Sequence, residues 1–418
     1  MDKTRPPHAL CADELRKSSL APHVDAFTHL LTEGGYAQST VGRYLIGLKR
    51  FAEWMPRRGV RIARIDEATV TRFLDEELPP RCEHCGHVSN DRSDASAALS
   101  HLLAVLRVRG VIAEPPVQMT AVDEELRRFD EYLDRVRGLA PKSRSMTLRT
   151  VGRLLKRRFG AGPLDIATIK PDHVRSFFAE QSKLHRSPAG AGCVVSALRS
   201  YFYYRVACGD AMHPLIGAVS YPANWTQSSL PQTLAAGEVE QLVHALGGPG
   251  RSRRRADAIV RCALDLGLRS GEIAKLGLDD IDWRAGTITL RRTKGRREDV
   301  LPLPKATGQA IAAYLKRERP KTKNRAVFVR HVAPRDQAIG PDLVRKVIRQ
   351  TYARAGLPHT RSHLLRHTMA SRLLDSGSSL KEVADVLRHR SLNTTQIYAK
   401  LDCRNLREVA LAWPGRAS

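Results

Sequence analysis

The sequence predicts a mostly α-helical fold with one small β-sheet in its C-terminal part, an α+β chain built in three domains. Three observations carry that prediction. Two stretches of the first half superpose on each other, with apolar residues at helical spacing. Apolar helical stripes resume at Val239. Alternating β-forming residues are confined to Gly286–Leu290 and the Val300–Leu303 run that follows.

The repeat comes first along the chain. With an offset of 104, Ser39 falls on Ser143, Ile65 on Ile169, Val70 on Val174 and Phe73 on Phe177. With an offset of 99, Leu99 falls on Leu198, Leu103 on Phe202 and Gly110 on Gly209, so the first copy holds five extra residues between the blocks. Each copy reads as a bundle of about four helices. The apolar faces form its core, and the intervening Arg and Lys residues are candidates for touching phosphate. The extra residues sit beside Cys82-Glu83-His84-Cys85-Gly86-His87, which has the spacing of half a zinc site. Cys82, Cys85 and His87, with His84, are weak candidates for a structural zinc, against an uncommitted polar loop. Pro115-Pro116 marks the joint between the copies, and Tyr221 to Gln232 reads as a linker. The expected domains are 1–115, 121–220 and 233–418.

In the last domain Val239, Leu242, Val243 and Leu246 mark one helix, and Ile259, Val260, Ala263 and Leu264 a second, ended by Gly267. Ser270 reads as the N-cap of the next helix, with Glu272 in its first turn and Arg269 at the junction. Gly286–Leu290 and Val300–Leu303 form a hairpin with Lys294 near its tip. Helices follow around Gln309–Lys316 and Asp342–Ala355. If the segment beyond Thr360 is helical, His363, Arg366 and His367 share one face. Leu387-Arg388-His389 closes another helix, and Tyr398 comes nine residues after that histidine.

The chain has 418 residues with 69 Lys+Arg against 43 Asp+Glu, a formal net charge of +26. That imbalance is foreign to an ordinary metabolic enzyme and calls for a polyanion, nucleic acid first. No run approaches the ~20 apolar residues needed to cross a bilayer, and the start lacks the apolar stretch of a signal peptide. Seven cysteines, odd in number and scattered, suit a reducing compartment. A soluble, cytoplasmic, nucleoid-associated protein is the expectation.

The charged residues of the last domain suit phosphoryl transfer. Two arginines, Arg269 and Arg366, can neutralise the charge that pentavalent phosphorus gathers in its transition state. Histidines can manage protons. A lysine on a hairpin tip can protonate a leaving oxygen, and a tyrosine can attack phosphorus and store the bond covalently. The domain shows no carboxylate cluster of the kind a two-metal nuclease needs. Tyr314 and Tyr352 are rival nucleophiles, but neither follows a histidine by the expected interval. The run Arg251, Arg253, Arg254, Arg255, with Arg296, is either a solvated face or a contact to nucleic-acid phosphate.

Arg269, Lys294, His363-x-x-Arg366, His389 and Tyr398, in that order, resemble the signature of the tyrosine recombinase family, which includes phage integrases and Xer proteins. The resemblance covers about Thr233 to Ala410. The two N-terminal copies resemble the family's helical core-binding domains. It implies that Tyr398 is the nucleophile of a 3′-phosphotyrosyl link and that Arg269 and Arg366 hold the scissile phosphate. Lys294 then protonates the leaving 5′ oxygen, His363 and His389 assist, and Glu272 supports the site from behind. It further implies double-stranded DNA as partner, no required metal or ATP, and a synaptic tetramer working through a Holliday junction, with accessory proteins as further partners. The apolar tail, Leu406, Val409, Leu411 and Trp413, would dock on a neighbouring protomer, or else pack in cis. Two helical modules suit a mobile-element integrase or transposase better than a chromosome or plasmid dimer resolvase of Xer type. A type IB topoisomerase is a rival reading, and so is a DNA-binding regulator that keeps the fold without the chemistry. The family usually has Gly where this chain has Arg388, and His where it has Lys400.

Overall fold

The computed structural model describes residues 14–78, 90–114, 119–185, 187–223, 231–247, 250, 252–291, 298–388 and 395–401. Residues 1–114 together with 229–418 form one compact unit, and residues 115–228 form a second.

The first unit opens with α1 (Ala21–Glu33), α2 (Gln38–Arg57), a 3-10 turn (Ile62–Arg64), α3 (Glu67–Glu77) and α4 (Asn90–Val108). Their apolar stripes close on one core that includes Phe27, Leu48, Phe51, Trp54, Phe73 and Leu99. The second unit repeats the order with α5 (Ala121–Arg135), α6 (Pro141–Phe159), a 3-10 turn (Ile166–Thr168), α7 (Pro171–Lys183) and α8 (Pro188–Ala207), then adds α9 (His213–Gly217).

The matched pairs occupy equivalent places. Ile65 and Ile169 each end a 3-10 turn, and both are buried. Phe73 with Phe177, Leu99 with Leu198, and Leu103 with Phe202 are buried on corresponding helices. Gly110 and Gly209 both follow the last long helix of their copy with positive φ, +68° and +101°, the conformation that favours glycine at a helix end. Inside the second unit Glu125 is buried and accepts from the Tyr201 hydroxyl at 3.0 Å and from Arg205 Nη1 at 3.1 Å. Those bonds satisfy a carboxylate that lies inside an apolar core.

The remainder of the first unit begins with α10 (Ala236–His244), α11 (Arg253–Leu264) and α12 (Ser270–Lys275). A three-stranded antiparallel sheet follows, β1 (Ile281–Asp282), β2 (Thr287–Leu290) and β3 (Asp299–Pro302), in the order β1-β2-β3. Ile288 pairs with Ile281 on one side and Leu301 on the other. All three are buried while Val300 is exposed, the alternation of a sheet with one covered face. Pro302 sits on the edge strand, where a missing N–H costs nothing. Helices α13 (Lys305–Arg317) and α14 (Pro341–Arg354) pack on the same core. Then come α15 (His363–Asp375), α16 (Leu380–Val386) and a 3-10 segment at Gln396–Leu401. Ala370, Leu374, Val383, Leu387 and Tyr398 form a small apolar cluster of their own. No helix among the described residues is long and apolar enough to cross a membrane.

Candidate active site

Helix α15 begins at His363, so Arg366 and His367 follow at i+3 and i+4 on one face. Arg366 is buried, and the protein's own backbone holds its guanidinium in place. Nη1 donates to the Gly267 carbonyl and Nη2 to the Leu387 carbonyl. Gly267 lies in the turn after α11 with φ +59°, and a Cβ there would lie 3.0 Å from both Leu387 Cδ2 and Met369 Sδ. Only glycine lets that loop turn its carbonyl onto Arg366 so close to the neighbouring side chains. Burial, then Arg269 and Arg388, lower the Arg366 pKa to about 9.

Arg269 itself is the N-cap residue of α12, and Ser270 is the first helical residue. This corrects the expected cap, and the reason is Glu272. From the third helical position its carboxylate turns back, accepting from the Arg269 backbone N–H at 2.8 Å and from Arg269 Nη1 at 2.7 Å. Ser270 instead donates through Oγ to Ser362 Oγ at 3.1 Å, joining the starts of α12 and α15. The Glu272 carboxylate also accepts from Arg388 Nη2 at 2.9 Å. Burial works to raise the Glu272 pKa, but Arg388 and the Arg269 backbone and side chain together hold it below the usual carboxylate value.

Arg388, the departure from the family pattern, has φ +56°. That is the left-handed region, which favours glycine. Arginine is retained here with its side chain folded in: its guanidinium, 5% exposed, pairs with Glu272, and Nη1 donates to Val386 O at 3.0 Å.

Tyr398 is buried, on the 3-10 segment packed against α15 and α16. Its hydroxyl lies 2.7 Å from Nδ1 of His367. Burial pushes the phenol pKa up to about 12, against the opposing pull of Arg366 and Arg269, whose charges act on the hydroxyl. His367 is held down to about 4 by burial, His363 and Arg366. His363 stands at the start of α15 with its pKa lowered, by desolvation first and then by Arg366, Arg269 and Arg345.

The rival tyrosines are core residues. Tyr314 is buried and stacks on Phe328 and His331. Tyr352 is buried, and its hydroxyl donates to Arg361 O at 3.5 Å.

The structure thus brings together Arg269, Glu272, His363, Arg366 and Tyr398. Lys294, Arg296, His389, Arg251, the Cys82, His84, Cys85 and His87 set and the tail from Leu406 lie outside the described residues. Of the remaining basic run, Arg254 is exposed while Arg253 Nη1 donates to Ala245 O. Arg255 is buried and donates to Val329 O at 3.2 Å. It anchors α11 internally and does not face solvent, which corrects its reading as a DNA contact. The residue that sequence reasoning left without a role is His367. It was legible as a neighbour of His363 and Arg366 on one face, but nothing local pointed to a tyrosine 31 residues on.

Family models match this chain in two places. Residues 232–404 match the phage integrase family, and residues 24–81 match the N-terminal SAM-like domain of phage integrases. The putative integrase/recombinase y4rA of Sinorhizobium fredii is 34% identical over 404 residues, covering 95% of each chain. The tyrosine recombinase XerC of Pseudomonas syringae is 28% identical over 289 residues, covering 69% of this chain and 95% of XerC. Among solved structures, the fold resembles that of the XerH site-specific recombinase bound to a palindromic difH substrate. That likeness has a TM-score of 0.52 at 19% identity and covers 70% of this chain and 89% of the other.

Proposed function

The chain belongs to the phage integrase family and is a site-specific tyrosine recombinase, a DNA strand-transfer enzyme, and we propose that it serves as the integrase of a mobile element. The observation that carries the catalytic assignment is the placement of Tyr398. It is buried and hydrogen-bonded to His367, and the charges of Arg366 and Arg269 bear on its hydroxyl. Tyr398 Oη attacks the scissile phosphorus, the P–O5′ bond breaks, and a 3′-phosphotyrosyl link forms. The 5′ oxygen takes a proton from Lys294, with His363 and His389 assisting. Arg269 and Arg366 bind the non-bridging oxygens, held in register by Glu272 and by the Gly267 and Leu387 carbonyls. Because the link conserves the bond energy, rejoining is the same step reversed and uses no ATP or metal.

The mobile-element role rests on coverage. The integrase/recombinase relative matches 95% of this chain, a span long enough to take in both helical modules, whereas XerC matches 69% of it. The partner is double-stranded DNA at two cognate sites, brought together in the cytoplasm by a tetramer. Steering to DNA draws on the +26 charge.

Tyr398→Phe tests the assignment on a nicked suicide duplex carrying the cognate site. The variant should shift DNA in a native gel as the unsubstituted chain does, and give no covalent complex in a denaturing gel. Covalent trapping by the Phe variant would overturn it.

A further inference from the structure

Attack by Tyr398 requires its proton to leave; a phenol is protonated at neutral pH, and burial holds the proton more firmly by pushing the pKa up to about 12. Among the described residues, His367 is in contact with that hydroxyl. The Oη–Nδ1 distance is 2.7 Å, and the two rings lie 5.5 Å apart, centroid to centroid. The imidazole of His363 comes next, 6.4 Å from that of His367. His367 is rigidly presented, on the second turn of α15 and next in sequence to the buried, doubly anchored Arg366. Its ring also lines a cavity of about 580 Å³ together with His359, Thr360, Arg361 and His363.

We propose that His367 is the proton acceptor for Tyr398, taking the phenolic proton on Nδ1 as the oxygen attacks and releasing a proton from Nε2 to water in the cavity. The step balances. The Oη–P bond forms as the P–O5′ bond breaks, the Oη proton goes to Nδ1, and the Nε2 proton goes to solvent. The imidazole is left neutral in its other tautomer, and religation runs the same path backward. The inference rests on the reading of Tyr398 as the nucleophile.

The electrostatics fit that task. In the free protein His367 is neutral at pH 7, so its ring nitrogen has a lone pair to offer. A phosphate entering beside Arg366 and Arg269 brings negative charge next to the ring and raises its basicity. The phenol meanwhile becomes acidic as its oxygen bonds to phosphorus, so a weak, well-placed base suffices. The contact with the hydroxyl that the structure gives is that of His367, whose ring lies 5.5 Å from that of Tyr398 and 6.4 Å from that of His363.

The test is single-turnover formation of the covalent complex by the full chain on a nicked duplex with its cognate site. His367→Asn keeps a polar atom near the position of Nδ1 but cannot take a proton. It should bind DNA normally and cleave about 10²-fold more slowly. The deficit should shrink as pH rises and hydroxide substitutes for the base. Replacing Tyr398 with 3,5-difluorotyrosine, a more acidic phenol, should recover at least tenfold in the Asn variant and change the unsubstituted enzyme little. Cleavage by His367→Asn at the unsubstituted rate overturns the proposal. So does faster cleavage, which would make the hydrogen bond a restraint on the tyrosine. Mapping the covalent peptide by mass spectrometry separates the two readings. A link at Tyr398 with an unimpaired Asn variant removes the role of His367 alone, and a link elsewhere removes both. If His367→Asn does not bind DNA, the unsubstituted chain decides through the solvent deuterium isotope effect on cleavage of a 5′-bridging phosphorothiolate duplex, whose leaving group takes no proton from Lys294: a slower rate supports the transfer from Tyr398, and an unchanged rate overturns it.

Discussion

Arg388 carries a backbone cost beside the active site, and the structure separates that cost from its compensation. The cost is conformational: φ +56° puts a residue with a Cβ in the left-handed region, worth about 1–2 kcal/mol against glycine. The compensation is the pair between Arg388 and Glu272, at 2.9 Å with side chains 5% and 9% exposed. Removing one partner of a buried pair costs about 3–5 kcal/mol. The low end applies here, because Glu272 keeps two hydrogen bonds from Arg269. Arg388→Ala loses the pair and keeps the strain, for a loss of about 3 kcal/mol. Arg388→Gly loses both, so the relief of strain leaves it about 1.5 kcal/mol below the native chain. At about 2–4 °C per kcal/mol for a domain of this size, the Gly variant should melt about 3–6 °C above the Ala variant. Thermal unfolding followed by circular dichroism reads that gap directly. Equal Tm values for the two variants would falsify the left-handed assignment. A Gly variant as stable as the native chain would show that the buried pair contributes nothing. Both variants should still cleave, since Glu272 still holds Arg269.

Three further outcomes are expected. Lys294→Ala should slow cleavage of an ordinary duplex and be rescued by a 5′-bridging thiolate, a leaving group that needs no proton; failure of that rescue contradicts the general-acid role. Glu272 has its folded pKa depressed below the usual 4.5, so its contribution to stability is complete above about pH 4.5 and is lost as pH falls through the lower folded value. Glu272→Gln should therefore be less stable at pH 7 and show a flatter acid limb in Tm against pH; an unchanged acid limb refutes the linkage. Metal analysis decides the Cys82–His87 segment: the polar-loop reading expects no more zinc than in the Cys82→Ser, Cys85→Ser control, and stoichiometric zinc absent from that control establishes a structural zinc site.

How much of this was readable in the sequence depends on how local each signal was. The repeat was legible because its matched residues are core positions on helices, where a fixed spacing survives as buried pairs such as Phe73 and Phe177. The cluster of Arg269 and Glu272 was legible because three residues on one turn suffice to pair them. The two-residue strand Ile281–Asp282 was not, since it is too short to show alternation. Charge alone misplaces Arg255, although its spacing from Ile259 and Cys262, both fully buried, puts it on the buried face of α11. The Arg388–Glu272 and His367–Tyr398 pairs span 116 and 31 residues and depend on tertiary packing, which no local pattern encodes.

The charge balance of the site suggests why so much of it is arranged around a single carboxylate. Arg269, Arg366 and Arg388 carry three positive charges and Glu272 one negative, so this group of four holds two uncompensated positive charges. Burial first, and then repulsion from Arg269 and Arg388, lower the pKa of Arg366 to about 9. A bound phosphodiester brings one negative charge, and the pentavalent transition state approaches two. The cluster is therefore matched to the transition state more closely than to the ground state, which is the condition for accelerating the step as well as binding the substrate. A second carboxylate nearby would improve the folded protein's own electrostatics and weaken that match. On this view Glu272 holds Arg269 and Arg388 in position while leaving the site short of neutrality, and the stability so forgone becomes available when phosphorus gathers charge.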